Sequence, residues 1–227
     1  MRNFKKLLCL VLMCVLSLLL FVGCGKSSEN ELTNTTAGDN NVTSNAANDT
    51  DSASGGAQVD QALTYYADID IKDYGMITVK LNQKEAPATV ANFISLSESG
   101  FYDGLTFHRI MEGFMMQGGA PKGNSNGGSP NKIKGEFKMN GHNNTISHKR
   151  GVISMARAQD YNSGSSQFFI VHEDSEFLDG QYAAFGMVTS GLDVVDKVCK
   201  ESKPIDNNGT IPAQEQPVIN SIKIRTE

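Results

Sequence analysis

Residues 25–58 number 34, of which 28 are Ser, Thr, Asn, Asp, Gly or Ala, with Leu32 and Val42 the only larger aliphatics. A segment of that composition buries too little apolar surface to offset its ordering entropy. It is expected to lie outside any packed domain, as a flexible tether with a root-mean-square reach of about 30 to 35 Å. The tether divides the chain. Before it, Arg2, Lys5 and Lys6 precede residues 7–22, a run in which Ser17 is the only polar side chain, and the first 23 residues hold no acidic one. Spanning a hydrocarbon core takes about 20 apolar residues, so this run is short for a permanent anchor and, with its basic start, reads as an export signal. After the tether, residues 60–227 remain, enough for a single closed core.

The apolar run ends in Leu20, Phe21, Val22, Gly23, Cys24. This resembles a bacterial lipobox, in which a Cys after a small residue is diacylated and becomes the new N-terminus; Phe21 stands where the motif usually has Leu. The resemblance implies a signal peptide over 1–23, an acylated Cys24 opening a tether over 24–58, and a chain held by lipid on the extracytoplasmic face of the cell membrane. The alternative is an ordinary cleaved signal with an incidental Cys. Cleavage before Cys24 takes away three of the 20 basic residues and none of the 25 acidic ones, so the formal charge moves from -5 to -8. An acidic chain lacks the basic stripe of a nucleic-acid binder, and no nucleic-acid partner is expected. Cys9 and Cys14 leave with the signal. With Cys24 acylated, Cys199 has no disulfide partner, so an exported domain must rely on its core; Cys199 itself reads as a small buried hydrophobe.

Within 59–227, residues 76–81 (MITVKL) alternate apolar and polar, and residues 66–71 precede them across Asp73, Tyr74 and Gly75, a hairpin signal. Pro87 opens a helical pattern through Val90, Phe93, Ile94 and Leu96 that Gly100 closes. Strand-like runs follow at 106–110, 114–117, 152–156, 167–172 and 183–188. A second helix is expected over 192–200, with Asp193 in its first turn and Lys197 and Lys200 in its last, charges that suit the helix dipole. Ile222 and Ile224 mark a final strand. The class is mainly β, and many short strands with two helices predict a closed antiparallel barrel, since closure removes exposed edges.

Three segments carry the chemistry: FHRIMEGFMMQGG at 107–119, VISMARAQDYNSGSSQFFIV at 152–171 and FLDGQYAAFGMV at 177–188. Arg109 cannot act as a base, because guanidinium stays protonated in proteins. The four His offer no HExxH pairing and the Cys count no zinc cluster, so no metal and no cofactor is expected. GGAPKGNSNGG at 118–128 lacks the G-K-[ST] ending of a phosphate loop, and no G-x-S-x-G elbow occurs. What remains is one Arg among Phe, Met and Gln. Taken singly, Phe114, Phe169 and Leu178 read as core residues and Arg109 as a surface ion-pair member.

In order and spacing the three segments closely resemble the cyclophilin family of peptidyl-prolyl cis-trans isomerases, over essentially all of residues 69–224. The resemblance implies a closed eight-stranded antiparallel β-barrel capped by two α-helices, with a groove for proline-containing segments. It also implies a chemistry that needs no nucleophile. Peptide rotation is opposed by a resonance barrier of roughly 18 to 20 kcal/mol, and a catalyst need only favour the twisted amide over both planar forms. A guanidinium aimed at the pyramidal prolyl nitrogen would do so. By the resemblance, Arg109 and Gln117 are catalytic. Phe114, Met115, Phe169 and Leu178 form the proline pocket, and Gln167 belongs to the same Q-F-F segment as Phe169. Ala156 and Arg157 pair with the substrate main chain, with Arg157 standing where the family often has Asn. Phe177 replaces a common Trp at the rim, which implies weak cyclosporin binding, and Tyr182 replaces a common His. The isomerase is expected to be a monomer. Two other readings share these features: a proline-peptide binding or chaperone module with little turnover, and a solute-binding lipoprotein, for which about 168 residues is small.

Overall fold

The computed structural model describes residues 59–227; the signal, Cys24 and the tether lie outside the described residues. Strands β1 (Tyr65–Ile71) and β2 (Gly75–Leu81) form the expected hairpin, and helix α1 (Pro87–Glu98) follows. Next come β3 (Phe107–Met111), β4 (Met115–Gly118), β5 (Val152–Met155), β6 (Phe168–Val171) and β7 (Ala183–Ser190). Helix α2 (Leu192–Glu201) and β8 (Ile219–Thr226) complete the order. All eight strands belong to one sheet, ordered β3-β4-β6-β5-β7-β2-β1-β8, and every pairing is antiparallel.

The sheet curls on itself. Register shifts interrupt the β1–β8, β2–β7, β3–β4 and β5–β7 pairings, and such bulges bend strands and raise their twist. The end strands β3 and β8 consequently approach one another, but they form no ladder. One bridge, Thr106 to Val218, joins them, flanked by bonds from Phe107 N–H to Pro217 O at 2.9 Å and from Ile219 N–H to Leu105 O at 2.8 Å. The architecture is thus a half-barrel of eight strands with two helices, and continuous strand pairing does not carry it to the closed barrel expected from the sequence.

Alternation along the strands sorts side chains into two apolar groups. Met116, Ile153, Phe168, Ile170 and Phe185 join Val90, Phe93 and Ile94 of α1 and Val194, Val195, Val198 and Cys199 of α2 in the main core. There the ring of Phe93 lies 5.3, 5.5 and 5.1 Å from those of Tyr102, Phe168 and Phe185, separations at which aromatic pairs add to simple burial. The other face of the same strands carries Met115, Val152, Phe169, Val171 and Ala184, joined by Leu178, in a second and smaller cluster. Cys199 is buried as expected, and burial pushes its thiol up to about 12.

Two helix starts depend on distant parts of the chain. The buried Glu136 carboxylate accepts bonds from Ala88 N–H at 2.9 Å, Thr89 N–H at 2.8 Å and the Thr89 hydroxyl at 2.7 Å. It satisfies free amides of the first turn of α1 and places negative charge at the positive end of the helix. At the start of α2, Gly191 has φ +87°, and a Cβ there would sit 2.3 Å from the Met76 carbonyl oxygen, so only glycine fits.

Candidate active site

Register places the chemistry in one row. Arg109 on β3 pairs with Gln117 on β4, Gln117 with Phe169 on β6, Phe169 with Ser154 on β5, and Ser154 with Ala184 on β7. Paired residues project to the same face, so a cation, an amide and an aromatic ring stand side by side over the smaller apolar cluster. Above them lies a pocket of about 180 Å³ lined by Arg109, Phe114, Met115, Gln117, Ala156, Arg157, Phe169, Leu178 and Tyr182. Its floor is Phe169, whose ring meets that of Tyr182 edge-on at 5.8 Å. An apolar floor, a small volume and one fixed cation suit a proline ring followed by its amide.

Arg109 is held by neutral acceptors. Its Nε donates to the Asn208 carbonyl at 2.7 Å and its Nη1 to Gln117 Oε1 at 3.3 Å. The thioether sulfurs of Met111 and Met115 lie 3.3 and 3.7 Å from its terminal nitrogens, and its Cζ is 6.0 Å from the Phe114 ring centre. Gln117 is in turn oriented by Gln167, since its Nε2 donates to Gln167 Oε1 at 2.9 Å. Burial lowers the pKa of Arg109, while Tyr182 and Asp206 act to raise it; the group stays cationic.

The Asn208 carbonyl belongs to a loop laid flat against β3. Ile110 N–H donates to Gly209 O at 2.8 Å and Ile211 N–H to His108 O at 3.0 Å. Asp206 accepts from Asn208 N–H at 2.9 Å and from Thr210 N–H at 3.0 Å. Gly209 has φ +84°, and a Cβ there would lie 2.5 Å from Met111 Cγ and 2.7 Å from Ile110 O. Glycine therefore lets the loop come close enough to grip the arginine.

Nine of the residues expected at the site line the pocket together, and two do not. Gln167 lines the neighbouring cavity of about 540 Å³, where its Nε2 donates to Gly127 O at 2.6 Å and Ser125 O at 3.2 Å. Phe177 is 66% exposed and is absent from the pocket lining, its ring 5.5 Å from that of Phe114. It sits in the short 3-10 turn Glu176–Leu178, a turn that buries Leu178 and leaves Phe177 outward. Arg157, expected to pair with the substrate main chain, also places its side chain at the site. Its guanidinium lies 4.7 Å over Tyr182, 4.8 Å over Tyr161 and 5.2 Å over Phe137. Sequence reasoning missed the loop that holds Arg109 and the use of the glycine-rich 118–128 segment as a cavity wall; glycine density was the available signal for the second.

A small apolar-floored pocket with a fixed arginine donor beside it suits a proline-containing peptide bond. The comparisons agree. The family description "Cyclophilin type peptidyl-prolyl cis-trans isomerase/CLD" matches residues 66–226, and the chain belongs to that family of enzymes. A peptidyl-prolyl cis-trans isomerase of Helicobacter pylori is 45% identical over 139 residues, covering 60% of this chain and 82% of that protein. Peptidyl-prolyl cis-trans isomerase B of Bacillus subtilis is 48% identical over 123 residues, covering 54% and 82%. Among solved structures, a cyclophilin-type isomerase of Cryptosporidium parvum crystallised in the presence of the dipeptide Ala-Pro superposes with a TM-score of 0.63 at 28% identity, covering 71% of this chain and 99% of that one.

Two buried histidines frame the site. His148 stacks on Phe169 at 6.0 Å. Its Nδ1 lies 2.8 Å from Asp179 Oδ1 and its Nε2 3.0 Å from the Ser154 hydroxyl oxygen, so both ring nitrogens have partners that fix the ring's orientation. Burial lowers its pKa, against the pull of Asp179. His108, next to Arg109, is 2% exposed, and neither ring nitrogen has a partner. Burial, reinforced by the Arg109 charge, brings His108 down to about 4 from 6.5. The unfolded chain therefore binds a proton more readily than the folded one between those values. Stability is full above pH ~6.5 and declines as the pH falls toward ~4, by about 2 to 3 kcal/mol for this residue. Urea unfolding at pH ~7 and ~4.5 is expected to show a larger loss for the parent than for His108→Gln; equal losses would show that His108 is not the group responsible.

Proposed function

We propose that this isomerase works on exported polypeptides as they fold, from a lipid anchor on Cys24 at the extracytoplasmic face of the cell membrane, as a monomer at the end of its tether. The lipobox-like sequence, the polar tether and the acidic mature chain support this reading. Tethering keeps the domain within tens of ångströms of the membrane surface, where newly translocated chains emerge with unequilibrated X-Pro bonds that relax in ~10 to 100 s unaided.

The observation that carries the catalytic part is Arg109 fixed beside a proline-sized apolar pocket. With the proline ring over Phe169, rotation takes the prolyl nitrogen out of conjugation and restores its lone pair. A guanidinium already immobilised by Asn208 and Gln117 donates to that lone pair without reorganising, and the interaction exists only in the twisted state. The peptide never breaks a bond, so no proton or acyl group moves. Phe177 beside Phe114 supports weak cyclosporin binding, and the β3–β8 seam supports reading the half-barrel as a barrel closed at that point.

Arg109→Ala is expected to lower kcat/KM for an X-Pro peptide by about 10²- to 10³-fold while leaving the unfolding midpoint within a small margin of the parent. Equal rates for the two proteins would remove Arg109 from catalysis, and a parent rate no higher than background would favour a binding module. For the anchor, mass spectrometry of the mature protein is expected to find an N-terminal Cys24 carrying a diacylglyceryl group. A mature chain starting elsewhere, or an unmodified Cys24, overturns the tethered reading.

A further inference from the structure

The cavity of about 540 Å³ beside the proline pocket shares Arg109, Gln117, Ala156 and Arg157 with it and continues to Lys132 and the glycine-rich segment. Three of its lining residues are basic, namely Arg109, Lys132 and Arg157, and none is acidic. Half-buried cations ordinarily pair with carboxylates, and elsewhere in this protein the half-buried Arg150 does, meeting Asp196 at 2.7 Å. Around this cavity, among the described residues, they do not. Arg157 donates to three carbonyl oxygens, those of Gln181 at 2.9 Å, Ala158 at 2.9 Å and Gln159 at 3.4 Å. Arg109 also has only neutral acceptors, and Lys132 takes part in none of the described salt bridges. The Asp206 carboxylate, which acts on Arg109 from a distance, is occupied by Asn208 and Thr210.

Arg157 is thus immobilised without being neutralised. Aromatic faces and carbonyl dipoles hold its plane at the wall between the two cavities. Rotating an X-Pro bond needs one cation at the prolyl nitrogen; it gives no use to two more around an adjoining hollow. Concave, partly desolvated surfaces of one sign focus field and raise the local concentration of the opposite charge. Resting on the isomerase reading of the neighbouring pocket, we infer that this cavity receives a carboxylate side chain of the substrate, an Asp or Glu within three residues of the proline, with Arg157 and Lys132 as specificity-determining residues. The distance is suitable, because an extended peptide advances about 3.3 Å per residue and the two cavities share a wall.

The test uses the full-length protein and two series of X-Pro peptides in an alanine background, one with a single Glu at each of the three positions before and after the proline, the other with Gln at the same positions. Both kcat/KM and the dissociation constant, from fluorescence anisotropy of labelled peptides, are measured for the parent, Lys132→Gln, Arg157→Gln and the double variant. The readout is the Glu-to-Gln ratio within each protein. Lys132 is exposed, so its variant keeps the test decisive if Arg157→Gln does not fold. At one position Glu is expected to be favoured roughly three- to tenfold over Gln. That advantage should shrink at ~0.5 M salt and fall toward unity as the two charges are removed. A ratio near one at every position, or one that the variants leave unchanged, overturns the inference. Turnover without discrimination would sink this inference and keep the isomerase reading; Glu-selective binding without turnover would do the reverse.

Discussion

Successive residues of a strand point to opposite faces, and in this sheet that alternation separates what holds the molecule together from what acts on a substrate. Phe168 closes the main core against Phe93, while its neighbour Phe169 floors the pocket. Met116 faces inward and Met115 outward on β4, and Ile153 and Ser154 divide in the same way on β5. A slip of one residue in β4 or β6 would send Gln117 and Phe169 into the core and expose Met116 and Phe168. The large aromatic cluster on the inner face makes that slip costly, so packing energy on one side fixes the position of the reactive row on the other.

Holding the arginine is a different problem. A carboxylate partner would orient Arg109 firmly but would also compete for the charge that the twisted amide needs. The protein uses carbonyl, amide and thioether acceptors instead, which fix direction without putting a carboxylate in contact with the cation. The 205–211 loop supplies the strongest of these contacts, and its own shape is set by Asp206 and Gly209. The same economy of negative charge extends to Arg157, which rests on three aromatic faces.

The parts legible in the sequence were those governed by short-range periodicity. The 66–81 hairpin, the Pro87 helix start and the amphipathic 192–200 helix show their pattern in a few residues, and the strands around FHRI, FMMQ and QFFI stand out as short runs rich in apolar residues. The pocket was legible through the joint spacing of those strands. Features that depend on distant partners were not. Glu136 reaches a helix start 47 residues earlier in the chain, and the single bridge at the β3–β8 seam joins Thr106 to Val218. Nothing near Arg157 in sequence announces Tyr182, and a three-residue turn decides that Phe177 points outward while Leu178 is buried.

Adjacent methionines on β4 give the most direct test of the central claim, that one sheet presents a reactive row on one face and a closed core on the other. With methyl-labelled methionine, titration with a short X-Pro peptide is expected to shift the Met115 methyl in a saturable way and to leave the Met116 methyl, buried among the inner cluster, where it was. Equal movement of both resonances, or movement of Met116 alone, would contradict the account.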